Sequence, residues 1–323
     1  MLSRGMAQNQ VAEVVPDTGQ LPQEKTEVTD AVPPLWKDYL LLTKPRVISL
    51  LLFTTWAAMF MAARGWPGAE LFILTGLGFY MAAGSAHVIN MVFDRDIDQR
   101  TERTATRAVA AGRISVTNAL IFAAFLGISS FAMLWYGATP MAAWMALSGL
   151  AFYVLVYTMF LKRRTWSNIV IGGAAGSFPP LVGWAAVTGD LAPMAWLLFG
   201  IIFLWTPVHF WALALLIKDD YAKNGIPMLP VVRGERATTV QIIWYALFTM
   251  AISLAPYLWP DGKGMMASWI YLVAAVALNV WLLWRSYLLH RNPDRPHASY
   301  LFHYSMLYLF FLFLALAIDR SVL

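Results

Sequence analysis

The chain has 323 residues, 59% of them hydrophobic and 15% aromatic, with only 13% charged and a net charge of +5. A soluble domain carries about a quarter charged residues, so the composition is that of a polytopic membrane protein, with no soluble basic domain for nucleic acid. There is no cysteine, which excludes disulfides, thiolate metal sites and cysteine nucleophiles.

Residues 1–35 are polar, with prolines and the acids Glu13, Asp17, Glu24, Glu27 and Asp30. This predicts a disordered tail. It is neither a secretory signal, lacking an apolar segment after its start, nor a transit peptide, being acidic. Residues 36–323 are expected to form one transmembrane domain. From Val47 onward, apolar runs recur at approximately 47–63, 70–92, 118–137, 141–160, 168–188, 194–217, 238–258, 267–288 and 299–317. Runs of this length cross about 30 Å of hydrocarbon. The expected fold is therefore an all-α bundle of nine transmembrane helices.

The 23 basic residues fix an expected orientation. All fall on one side of such a bundle except Arg64, Lys263 and Arg320 on the other and Arg4 and Lys25 in the tail. The positive side is cytoplasmic, so the N-terminus lies inside and the C-terminus outside. The two long loops, 93–117 and 218–237, are both cytoplasmic, and both open with acids. Function is expected on that face.

The second apolar run ends in Asn90, Asp94 and Asp98. Positions four apart stack on one helix face, so two carboxylates and an amide oxygen line one stripe. Like charges at that spacing repel. A hard cation such as Mg²⁺, which keeps several waters and bridges carboxylates to substrate phosphates, would neutralise them. Asp96 is rotated off the stripe. His87, three residues before Asn90, extends it deeper into the membrane. Arg103 and Arg107 follow in the same loop, also four apart. Their guanidinium groups suit phosphate oxygens, although they serve equally well as topology signals.

Next, 162-KRR-164 supplies Lys162 and Arg163, which draw in an anionic substrate or anchor the membrane face. The fifth run is dense in Gly and Ala, with Pro179 and Pro180 mid-span. Such a broken helix either lines a cavity or packs tightly. In the sixth run, His209 follows Pro207. Ionisable groups at membrane depth read as functional, against the plainer alternative of a neutral imidazole bonded to a neighbouring helix. The last long loop opens with Lys218, Asp219, Asp220 and Tyr221, a cation beside acids at a helix end, as a metal–phosphate complex requires. The following 225-GIPMLP-230 reads as a lid or interfacial turn.

Five segments, 42-LTKPRV-47, 90-NMVFDRDIDQRTERT-104, 157-YTMFLKRRTWSNIVIGGAAGSFPPLVGWAA-186, 206-TPVHFWALA-214 and 218-KDDYAKNGIPMLPVV-232, resemble the UbiA-type intramembrane prenyltransferases. They are most similar to the branch of that family that farnesylates heme. The resemblance covers roughly residues 36–317. It departs at Ala108 and Trp166, where relatives commonly have proline. The wider family's second motif is Asp-x-x-x-Asp, but Asn224 stands four beyond Asp220 and Lys223 four beyond Asp219.

The resemblance implies a helical bundle with a central cavity open to the cytoplasm. It implies Mg²⁺ as cofactor, held by Asn90, Asp94 and Asp98 with Asp219 or Asp220. Lys218, Arg103 and Arg107 would offset charge on the departing diphosphate, beside Lys162, Arg163 and Tyr221. The implied substrates are farnesyl diphosphate and heme b, joined to give heme O in the bacterial inner membrane, with His87 or His209 orienting the porphyrin. Heme A synthase or terminal oxidase assembly would receive the product. Two alternatives stand beside this reading: a UbiA-type enzyme with an aromatic acceptor in quinone synthesis, and an ion-coupled transporter.

Overall fold

A computed structural model describes residues 34–260 and 266–322. The tail expected over 1–35 therefore lies, apart from its last two residues, outside the described residues, as does Lys263. Among the described residues, nine helices are long and apolar enough to cross a membrane: Pro45–Ala63, Ala69–Phe93, Val116–Gly137, Pro140–Leu161, Asn168–Thr188, Pro193–Leu216, Gly234–Leu258, Trp269–Arg291 and Arg295–Val322. They are the nine expected runs, moved by a few residues at their ends. The ninth begins earlier and runs longer than its apolar stretch, because the flanking polar turns continue the helical hydrogen bonding.

Local chemistry sets the boundaries. Pro45, Pro140 and Pro193 open three spans, where the missing N–H has no partner to lose. Ser115, Thr139 and Ser268 each accept a hydrogen bond from a first-turn amide, supplying the acceptor that an uncapped helix start lacks. Gly189, at φ 72°, closes the fifth span in the left-handed region that a residue with a Cβ resists.

The fifth and sixth spans are 67% and 61% buried, against 28% for the third, fourth and eighth. The bundle is thus organised around the former pair. Small residues permit its density. A Cβ on Gly183 would meet the Thr55 carbonyl oxygen at 2.0 Å, so the first and fifth spans approach backbone to backbone there. At one end of the bundle, Asp319 accepts hydrogen bonds from the Ser268 amide and hydroxyl and from the Tyr271 amide. Beside it, Arg320 donates to the carbonyls of Met61 and Met266. These contacts tie the ninth span to the ends of the first and eighth.

Two spans depart from plain α-helix. The fifth breaks at Gly173–Ser177, a 3₁₀ turn just ahead of the Pro179–Thr188 helix. The fourth changes winding: Phe152–Leu161 is a π-helix, continued by the Lys162 amide donating to the Tyr157 carbonyl five residues back. Pro207 is accommodated inside a continuous sixth span.

Candidate active site

At the end of the bundle opposite the Asp319–Arg320 clasp, a polar cavity of about 180 Å³ opens between the first, second, fourth and sixth spans and the loops they feed. Asn90, Asp94 and Asp98 all line it. The second span stops at Phe93, and Asp94 sits in the bridge conformation (φ −89°, ψ 2°) between it and the short helix Arg95–Arg100. The i to i+4 bonding nonetheless runs through: the Asp94 amide donates to the Asn90 carbonyl at 2.9 Å, and the Asp98 amide to that of Asp94 at 2.8 Å. The stripe therefore survives the helix end.

Asp220, Tyr221 and Asn224 line the opposite wall. The Arg103 guanidinium stands 3.7 Å from Asp220, and the Asn224 amide donates to the Thr101 hydroxyl at 2.9 Å. The two long loops therefore meet. Gly225, at φ 65°, turns the chain so that Ile226, Met228 and Leu229 plug into the core. Of the two readings of 225–230, a lid or an interfacial turn, the burial of these three side chains does not suit a free lid.

The carboxylates already have counter-ions. Lys162 Nζ lies 2.5 Å from Asp94 Oδ2. Arg107 donates to both oxygens of Asp98, at 2.8 and 2.9 Å. Lys44, itself in the left-handed region at φ 56°, donates to Asn90 Oδ1 at 3.1 Å, while Asn90 Nδ2 donates to Thr158. Burial, reinforced by the Arg107 and Lys162 cations, pulls the Lys44 ammonium down to about 7. Burial likewise pushes the Tyr221 phenol up to about 12. Asp94 Oδ1 alone among these carboxylate oxygens is buried without a hydrogen-bond partner.

Several expected residues lie elsewhere. Lys218 reaches out to Glu235 at 3.1 Å, and neither it nor Asp219 belongs to the lining. The short helix Lys218–Lys223 brings Asp220 and Tyr221 to the cavity, while Lys218 and Asp219, one turn-step earlier, stay out of its lining. Arg163 pairs with Asp96 on the exposed face, 2.6 and 2.8 Å from its oxygens, holding that carboxyl below the usual range. It stays 3.9 Å from Asp94. His209 is clamped between the Trp205 and Phe302 rings, each 4.7 Å away and nearly parallel, and shares a hydrogen bond with Ser305. It is absent from the cavity lining, and its bond to Ser305 of the ninth span fits the plainer alternative of an imidazole tied to a neighbouring helix. His87 is buried with its Nδ1 unpartnered, its ring edge-on to Tyr153 at 5.4 Å. It lies beside the cavity wall rather than in it.

The sequence profile described as the UbiA prenyltransferase family matches residues 50–314. The chain belongs to the UbiA prenyltransferase family. It is 56% identical over 314 residues to a protoheme IX farnesyltransferase of Deinococcus radiodurans, covering 92% of this chain and 99% of that protein. It is 59% identical over 287 residues to one of Thermus thermophilus, covering 89% of this chain. There it spans only 46% of the relative, so the chain is about half the length of that protein. Among solved structures, digeranylgeranylglyceryl phosphate synthase superimposes with a TM-score of 0.74 at 18% identity, covering 89% of this chain and 99% of that one. A UbiA homolog from Archaeoglobus fulgidus bound to DMAPP and Mg²⁺ gives 0.65 at 18%, covering 87% and 99%. At such identity these two establish the UbiA fold.

The donor set of this UbiA cavity suits Mg²⁺ in one form. Among the described residues, no group of three or more His, Cys, Asp or Glu converges as a metal cage. Mg²⁺ does not require one: it keeps its waters and uses one or two carboxylates plus phosphate oxygens. The orphaned Asp94 Oδ1 and the oxygens of Asp98, Asn90 and Asp220 supply that.

Lys44, Tyr153 and Tyr157 were not singled out from the sequence for this wall, yet all three line it. Lys44 carries only the signal of a basic residue ahead of a span, which reads as a topology anchor. Tyr153 and Lys162 are nine residues apart, and nine steps of about 100° would set them on opposite faces of an α-helix. The wider π winding brings them to one face. Gly172 lets Tyr157 pack closely behind the wall: a Cβ there would meet the Tyr157 ring at 2.3 Å.

Proposed function

We propose that this chain transfers the farnesyl group of farnesyl diphosphate to a vinyl group of heme b, giving heme O and diphosphate. The observation that carries this reading is the meeting of both acidic motifs in one cavity lined by oxygens and cations. It is joined by identity over nearly the whole length of a protoheme IX farnesyltransferase.

Asn90, Asp94, Asp98 and Asp220 would hold Mg²⁺, which when bound would supply Lewis-acid stabilisation of the departing diphosphate. Lys44, Arg103, Arg107 and Lys162 face the non-bridging oxygens, where charge grows as the allylic C–O bond breaks and its electron pair stays with diphosphate. Tyr153 and Tyr157 close the wall toward the membrane, so the allylic cation forms away from bulk water. The vinyl π electrons form the new carbon–carbon bond, and water then adds to the porphyrin-side cation and loses a proton, leaving the hydroxyl. Residues 36–323 are the catalytic domain. The bias of basic residues supports a cytoplasmic position for the cavity, in a bacterial inner membrane.

The test is reconstitution of purified protein with heme b, farnesyl diphosphate and Mg²⁺. Heme O and diphosphate are expected in equal amounts, lost on chelation and in Asp94→Asn at normal protein abundance. Prenylation of an aromatic acid with no heme product would overturn the acceptor. Heme O formed at the normal rate by Asp94→Asn would overturn the metal assignment.

A further inference from the structure

Each carboxylate facing the cavity has a cation beside it. Asp94 takes Lys162, at the end of the fourth span. Asp98 takes Arg107 through both oxygens, and Asp220 has Arg103 nearby. Asn90 Oδ1 takes Lys44. Lys44, Arg103, Arg107 and Lys162 thus face Asp94, Asp98 and Asp220, so the carboxylates of the wall are close to neutralised by the protein's own cations. Asp94 Oδ1 is buried without a hydrogen-bond partner, 3.9 Å from the Arg163 guanidinium.

A free divalent cation entering this cavity would have to displace ammonium and guanidinium groups with no other anion to receive them. An unaccompanied diphosphate would bring excess negative charge against carboxylates that stay in place. Only the two together allow an exchange in which Lys162 and Arg107 move to phosphate oxygens, for which they are well suited, and release Asp94 and Asp98 to the metal. We propose that the Asp94–Lys162 and Asp98–Arg107 pairs mask the metal ligands, so that Mg²⁺ and diphosphate bind as a coupled unit and leave as one. The inference rests on the function proposed above and adds the order of events at its site. Coupling of this kind is reciprocal: each ligand raises the affinity for the other by the same factor.

Two measurements on the full chain in detergent test it. Calorimetry follows Mg²⁺ alone into the wild type, into Lys162→Met and into Arg164→Gln, an exposed cation stacked on Phe160. Equilibrium dialysis follows labelled inorganic diphosphate with and without Mg²⁺. Diphosphate binding is expected to weaken about tenfold or more without the metal, within the usual range of such couplings. Lys162→Met is expected to bind Mg²⁺ alone more tightly than the wild type and to lose most of the coupling, while Arg164→Gln keeps both values. Equal diphosphate affinity with and without metal in the wild type would overturn the proposal without using any variant, as would a Lys162→Met protein whose metal binding is unchanged or weaker. If neither ligand binds the wild type, the proposed function falls too. If both bind independently, only the masking falls.

Discussion

The side-chain amide of Asn224 hydrogen-bonds the hydroxyl of Thr101 across 123 positions of sequence, at 2.9 Å. Asn224 stands four residues beyond Asp220. Here that position serves as a latch between the two loops that carry the cavity's carboxylates, and Asn224 also folds back on its own helix through the Asp220 carbonyl at 2.8 Å.

Removing the latch is expected to loosen the cavity without emptying it. Asn224→Ala and Thr101→Val should each cost about 1 kcal/mol, the usual net worth of a neutral hydrogen bond. The double variant should cost clearly less than the two added together. Thermal denaturation in detergent gives the comparison. Strict additivity would show that the contact carries no energy.

Lys44 should matter far beyond what a topology anchor would. Lys44→Met is expected to lower turnover about 100-fold, the scale of removing one charge-stabilising donor. Lys37→Met, an exposed cation resting on Trp36, should stay near wild type. Initial rates in membranes of matched protein content separate the two.

The glycines make opposite predictions. Gly183→Ala drives a methyl into the Thr55 carbonyl, which is backbone and cannot turn aside. It should destabilise the fold by about 3 kcal/mol or more, as severe overpacking does. A Cβ at Gly176 meets nothing within 4 Å, and Gly176→Ala should be tolerated. Yield and melting temperature of the purified variants decide this.

Asp38 and Arg113 form a two-point ion pair, 2.8 Å at both contacts, pinning the short helix Leu35–Leu42 to the first long loop. The Arg113 guanidinium holds the Asp38 carboxyl below the usual range. A carboxyl depressed in the folded state stabilises it fully above the unfolded value, near 4, and progressively less as pH falls through the folded value. Stability should thus show an acid-side loss below about pH 4 that Asp38→Asn removes. At neutral pH that variant should be less stable by about 1.5–3 kcal/mol. A melting curve against pH that is identical in the two proteins would sink this.

Much of the architecture was written in local pattern. Apolar runs of membrane-crossing length give nine spans, because a helix in lipid must satisfy its own backbone bonds. The four-residue spacing of Asn90, Asp94 and Asp98 gives their shared face even though the helix is interrupted at Asp94. The mistaken expectations have one origin. Lys218 and Asp219 sit close to Asp220 in sequence, but successive residues on a helix point in different directions, and of the four from Lys218 to Tyr221 only Asp220 and Tyr221 line the cavity. The sequence neighbours of His209 do not reveal that Phe302 and Ser305 of the ninth span hold it outside the cavity lining.

What the amino-acid sequence determined alone, then, was the periodic content of the chain: how many times it crosses the bilayer, and where acids gather at span ends. Tertiary structure decided the partners. Lys162 reaches Asp94 across 68 positions, and it shares a wall with Tyr153 only because the fourth span is wound as a π-helix over Phe152–Leu161. Local pattern repeats at a fixed angle per residue, so it can encode a stripe. A pairing between distant stripes depends on how far each helix turns and how closely it packs on its neighbours, and those are properties of the whole bundle.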